Sequence, residues 1–154
     1  MENIILTAGT VSYRVVNGDI EILLVKPAKG NNGWQIPKGH LMMSNNEPVQ
    51  DASIRETYEE TGIKVSLLDF LGSVKYPVPE GQKIVYAYLA EPTSPNQQIS
   101  GDGENAEVKW TSITKLQNIN KEQSPLIAKG VVLAKQRVEN LSAKNKSPQP
   151  AKNA

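Results

Sequence analysis

The stretch from Glu47 to Gly62 constrains this chain more than any other, because its residue types leave the backbone little choice. Residues 47 to 61 are dense in Glu, Arg, Gln and Ala. Pro48 suits a first helical turn after Asn46, and Gly62 suits a left-handed C-terminal cap. The pattern predicts a helix over 47–61. On that helix Glu56, Glu59 and Glu60 are three and four residues apart, so at about 100° of rotation per residue they fall within one arc of roughly 100°. Like charges crowded this way repel by a few tenths of a kcal/mol per pair, so the face calls for a compensating cation. Arg55 can reach Glu59 at i+4 and orient a carboxylate. On the other side Ile54, Thr57, Tyr58 and Thr61 form a stripe expected to pack on a sheet.

Strand-like segments flank this helix. Residues 4 to 16 are rich in Ile, Val, Thr and Tyr, and Asn17-Gly18-Asp19 leads into the apolar run Ile20 to Val25, which reads as a β-hairpin. Trp34-Gln35-Ile36 is at most a short strand, and Pro37-Lys38-Gly39 reads as a break. Residues 63–76, 83–90 and 108–111 are β-like, with a turn at 78–81. Pro125 opens a second helical pattern, capped by Ser124, whose apolar side holds Leu126, Val131, Val132, Ala134 and Val138. From Ser142 the composition turns to Ser, Lys, Asn, Pro and Gln, so one domain over 1–141 and a disordered tail over 142–154 are expected. The fold class is α/β, a mixed β-sheet between two helices.

Bulk properties narrow the chemistry. The 154 residues suit a single domain, and a formal net charge of +1 gives no overall field toward DNA or an anionic membrane. No apolar run reaches signal-peptide or membrane-spanning length, so a cytoplasmic protein is expected. Without any cysteine, thiolate metal sites and thiol nucleophiles are excluded, leaving carboxylates, hydroxyls and one histidine. Three clustered glutamates offer only oxygen donors, which suits Mg2+, or Mn2+ in its place; such ions bridge a few carboxylates to substrate phosphates. Gly39 lies upstream, where its carbonyl could approach the same ion.

The order Gly39, Glu47, then Arg55-Glu56-Thr57-Tyr58-Glu59-Glu60-Thr61-Gly62-Ile63 resembles the Nudix box: Gly, five residues, Glu, seven residues, Arg-Glu-aliphatic-x-Glu-Glu-x-Gly-aliphatic. Trp34 to His40 resembles the family's usual lead-in, and the likeness runs from about residue 4 to 141. Two departures stand out. Seven residues separate Gly39 from Glu47, and Thr57 replaces an aliphatic residue. The resemblance implies an α/β/α sandwich and a metal-dependent hydrolase in which water cleaves a diphosphate linkage of a nucleotide-type small molecule. It implies metal ligands Gly39, Glu56, Glu59 and Glu60, with Arg55 supporting them.

Glu56 or a glutamate outside the box would take the proton from water. Glu104, six residues before Trp110, is the outside candidate and Glu107 its rival. His40 recurs in family members that use glutamates instead, so no chemistry is assigned to it. Lys26, Lys38 and Lys83 are candidates for phosphate, and Tyr76 or Tyr86 for stacking on a base. Residues 70–86 are loosely similar to dinucleoside polyphosphate hydrolases of the diadenosine tetraphosphate type, which points to Tyr76 and Lys83; with Lys38 they are the expected substrate contacts. Two other readings remain: removal of diphosphate from an RNA 5′ end, and a non-catalytic nucleotide-binding regulatory domain. Self-association is left open.

Overall fold

The computed structural model describes residues 3–30, 32–101 and 103–146. The hairpin forms as read: β1 (Ile4–Val16) and β2 (Asp19–Pro27) are antiparallel across a turn in which Asn17 and Gly18 both take positive φ. Their pairing covers only Tyr13 to Val16 of β1. Toward its start β1 pairs instead with the short β3 (Lys38–His40), antiparallel, through Thr7 to Gly9. The expected break is therefore confined to the bend at Pro37, and Lys38 and Gly39 are strand. Once β1 and β2 diverge, free backbone groups on the inner edge of β1 recruit β3, and Gln35 exchanges backbone bonds with Val25 on the β2 side.

After α1 (Val49–Thr61) come β4 (Val65–Val78), β5 (Gly81–Pro92), β6 (Asn105–Ser112) and α2 (Ser124–Lys146). The sheet order is β4-β5-β1-β2-β6, with β1–β5 parallel and the other pairs antiparallel. The strand expected over 108–111 is longer because β6 pairs along β2 as far as Pro27. Helix α2 runs past the expected domain end at 141 to Lys146; the rest of the proposed tail lies outside the described residues. Asn120 Oδ1 caps the turn entering α2 by accepting from Gln123 N. No helix among the described residues is long and apolar enough to cross a membrane.

The two helices cover opposite faces. Val11, Tyr13, Ile22, Leu24, Val85 and Leu89 pack with Leu126, Ile127 and Ala134 of α2. Leu23, facing the other way, joins Ile63, Val65 and Ala90 in a smaller cluster. Strand β2 is buried from both sides, which explains its unbroken apolar run.

Helix α1 departs from its expected boundaries and its expected face. Glu47 stands outside it because the residue before a proline disfavours helical φ/ψ, and Pro48 itself is extended at φ −64 and ψ 149. At the other end Gly62 takes φ 78, as the cap requires. The buried residues are Ala52, Ser53, Thr57 and Thr61, while Ile54 and Tyr58 are exposed. Small hydroxyl residues win this face because each satisfies itself on its own helix. Ser53 donates to Val49 O, Thr57 to Ser53 O and Thr61 to Thr57 O. Thr57 Oγ1 also meets Thr10 Oγ1 of β1 at 2.8 Å, and Thr10 meets Ser12 at 2.6 Å. With the Thr57 proton spent on Ser53 O, the chain runs Ser12 to Thr10 to Thr57, one donor each. Restoring the family's aliphatic residue with Thr57→Val breaks this chain inside the helix–sheet contact. A loss of about 1–3 kcal/mol in unfolding free energy is expected, measured by urea denaturation.

Candidate active site

The outer side of α1 meets β3 at Gly39. A methyl group there would overlap the Glu56 carboxylate, so the glycine lets this side chain lie directly against the strand. The two extra residues after Gly39 do not carry it away. Met43–Asn45 winds into a 3-10 turn, Asn46 reverses direction at φ 51, and Glu47 folds back so that its Oε1 accepts from Met42 N at 3.0 Å. The insertion closes on itself.

Arg55 gathers the acids. Its Nε donates to Glu47 Oε2 at 2.7 Å and its Nη2 to Glu47 Oε1 at 2.8 Å and to the His40 carbonyl at 3.0 Å. Its Nη1 donates to Glu56 Oε1 at 2.7 Å and to Glu59 at 3.1 and 3.2 Å. The i+4 contact with Glu59 is thus one of several. These bonds hold the guanidinium above, and the Glu47 carboxyl below, their ordinary pKa values. Glu56 goes the other way. Burial raises its pKa, with help from Glu59 and Glu47, against the opposing effect of Arg55.

The three box glutamates share the helix face but not one focus. Glu60 Oε1 turns to accept from Lys38 N at 3.1 Å, away from the Arg55 group. Among the described residues no three acidic or imidazole side chains converge as a ready-made metal cage. The surroundings nevertheless fit a hard divalent cation. The donors are all oxygens, Gly39 has no Cβ to keep the Glu56 carboxylate off the strand, and Glu56 is a carboxylate whose burial one guanidinium does not offset. His40 contributes its carbonyl, and its side chain is exposed.

Successive residues of β3 point to opposite faces of the sheet. Gly39 faces α1, and Lys38 enters a cleft of about 250 Å³ beside the start of α2. Tyr76 and Lys83, paired in register between β4 and β5, line the same cleft. The three expected substrate contacts therefore meet. Burial and the nearby Lys83 push the Lys38 ammonium down to about 8, against the attraction of Glu60 and Glu56. Tyr76 is raised, chiefly by burial. Tyr86 does not join them. Three residues beyond Lys83 on β5, it takes the opposite face, stacked 6.5 Å from Phe70. Lys26 lines an adjoining cleft of about 580 Å³ with its ammonium 5.9 Å from the Trp34 ring. Glu104 is exposed in the loop entering β6, and Glu107 pairs opposite Lys26.

Sequence reasoning missed the amides around the cleft. Asn32, Gln35 and Asn120 line it, and Gln35 Oε1 accepts from Lys38 Nζ at 2.8 Å. The one available signal was Gln35 between apolar Trp34 and Ile36, close to Lys38.

Comparison with known proteins agrees with this geometry. The profile of the NUDIX domain matches residues 6–130. A mouse bis(5'-nucleosyl)-tetraphosphatase (asymmetrical) is 33% identical over 101 residues, covering 63% of this chain and 67% of that protein. An 8-oxo-(d)GTP phosphatase of Mycolicibacterium smegmatis is 43% identical over 70 residues, 43% of this chain but only 21% of the longer relative. The crystal structure of a C. elegans Ap4A hydrolase binary complex superposes with a TM-score of 0.74 at 27% identity, covering 86% of this chain and 98% of that one. A glycine pressed on a helical glutamate, an arginine collecting box carboxylates and a profile spanning most of the sequence agree: this chain belongs to the Nudix family of hydrolases acting on phosphoanhydride bonds.

Proposed function

We propose that this chain is a cytoplasmic, Mg2+- or Mn2+-dependent pyrophosphohydrolase whose substrate is a nucleoside or dinucleoside polyphosphate, the dinucleoside type first. The observation that carries the reading is the meeting of Lys38, Tyr76 and Lys83 in one cleft, with Lys38 on the strand that also presents Gly39 to Glu56. Two adjoining clefts that share Asn32, Asn120 and Glu122 give room for more than one nucleoside. The mouse and C. elegans relatives, named for tetraphosphate substrates, support the same preference.

In this reading Glu56, Glu59 and Glu60, with the Gly39 carbonyl, hold the ion. When bound it neutralises charge on the phosphate oxygens and lowers the pKa of water. Lys38 and Lys83 hold phosphate oxygens, and the Tyr76 ring packs on a base. Arg55 orients Glu56 and Glu59. Glu56, set against β3 and held by Arg55, is the first candidate to take the proton of the attacking water. Glu104, exposed in the loop entering β6, is the second candidate and Glu107 the third.

A substrate panel with Mg2+ tests the activity. Dinucleoside tetraphosphate is expected to be cleaved faster than nucleoside triphosphate or 5′-triphosphorylated RNA, and Glu59→Gln is expected to lose activity by about a hundredfold or more. No product from any of these, or a Glu59→Gln variant equal to wild type, removes the proposal. The pH profile supplies a second check. Lys38 is charged below about 8 and loses its proton above, so kcat/KM should fall as pH rises through that value. In Lys38→Arg, whose guanidinium stays charged, the fall should disappear.

A further inference from the structure

Gln123, in the turn entering α2, is fully buried although it is an amide. Such a group is tolerated only when its hydrogen bonds are made, and here they are directional. Ile36 N can only donate, and it does so to Gln123 Oε1 at 2.9 Å. That places Gln123 Nε2 toward Gln35, whose Oε1 accepts from it at 3.2 Å. The same Oε1 accepts from Lys38 Nζ at 2.8 Å. One backbone N–H thereby fixes the orientation of two side-chain amides and leaves an acceptor aimed at the ammonium.

Gln123 is itself held in place. Its N–H donates to Asn120 Oδ1 at 3.0 Å, while Asn120 Nδ2 donates to Asn32 O at 3.0 Å and Asn120 N to Trp34 O at 2.8 Å. Trp34 N donates in return to Asn118 O at 2.7 Å. The start of α2 and the segment 32–36 are stitched into one unit. Lysine has a long flexible stem, and holding its head costs rotamer entropy that a preset acceptor reduces.

We infer that Gln123 is a positioning residue, acting through Gln35 to hold the Lys38 ammonium in the cleft before a substrate's phosphates arrive. The inference rests on the reading of this cleft as a phosphate site and adds to it a residue that touches no substrate. It predicts an effect on affinity rather than on chemistry. Loss of Gln123 alone would slacken the clamp, whereas loss of a merely structural residue would lower the folded fraction and leave the affinity of the folded molecules unchanged.

The test uses the full chain with Gln123→Met, which keeps the side-chain length and removes its bonds to Ile36, Gln35 and Tyr76, and Gln35→Met, which cuts the links to Lys38 and to Gln123 Nε2. Calorimetry with inorganic tripolyphosphate in the presence of EDTA measures the clamp without turnover. Both variants should bind roughly tenfold more weakly than wild type. With cleavable substrate they should raise KM far more than they lower kcat. On a Lys38→Met background, Gln123→Met should add no further loss of affinity, because the two act in series. If Gln123→Met fails to fold, Gln35→Met carries the test, since its side chain borders the cleft and leaves the Ile36 bond intact. Unchanged tripolyphosphate affinity in Gln35→Met or folded Gln123→Met overturns the inference. So does a full additional loss on the Lys38→Met background, or a wild-type chain that binds no tripolyphosphate. A chain that binds tripolyphosphate but cleaves no nucleotide refutes the enzymatic reading alone, and the ratio of affinities still decides the role of Gln123.

Discussion

The guanidinium of Arg55 is the joint on which this site depends. It bonds a carbonyl at the end of β3, a glutamate in the loop that follows, and two glutamates on its own helix. Only a planar, permanently charged group with five donors can serve all of these at once, and the paired bonds to Glu47 fix its plane. Because Glu47 is also tied to Met42 N, the loop is clamped at its base, not along its length. A loop anchored that way can carry two more residues than the family pattern without disturbing what it connects.

Charge balance explains the rest of the face. Glu47, Glu56 and Glu59 share one guanidinium, so two negative charges are left over in a partly buried place. The raised pKa of Glu56 is the local expression of that excess. Glu60 escapes it by turning to a backbone N–H on β3. A divalent cation would match the leftover charge.

Much of this was legible in the sequence because it is local. The hairpin turn at Asn17-Gly18, the cap at Gly62 and the spacing of the box glutamates each depend on a few neighbouring residues. Glu47 could also have been read correctly as non-helical, since Pro48 follows it. The buried face of α1 could not. Ile54 and Tyr58 look like core residues, and it takes Thr10, far away in sequence, to make a hydroxyl-lined contact the better solution. Strand β3 was hidden for a similar reason, since it exists only where β1 and β2 part. The choice between Tyr76 and Tyr86 is one of strand parity: Lys83 and Tyr86 are an odd number of residues apart, so they take opposite faces. Gln123 gave no signal, because its partnership with Gln35 joins segments 88 positions apart.

Three residues of β3 serve both halves of the site, and this follows from the pleat alone. Gly39 must face α1 for a backbone carbonyl to approach the acids, and the next residue back must then face the other way, where Lys38 meets Lys83 and Tyr76. The strand can lie so close to β1 because Gly9, opposite Lys38, has no side chain to meet Pro37 O and the Lys38 Cβ. A shift of β3 by one residue would exchange the two faces, leaving a lysine against the glutamates and no ammonium in the cleft. The β1–β3 register therefore sets charge on both sides of the sheet at once, and the Arg55 bond to the His40 carbonyl locks that register from the helix side.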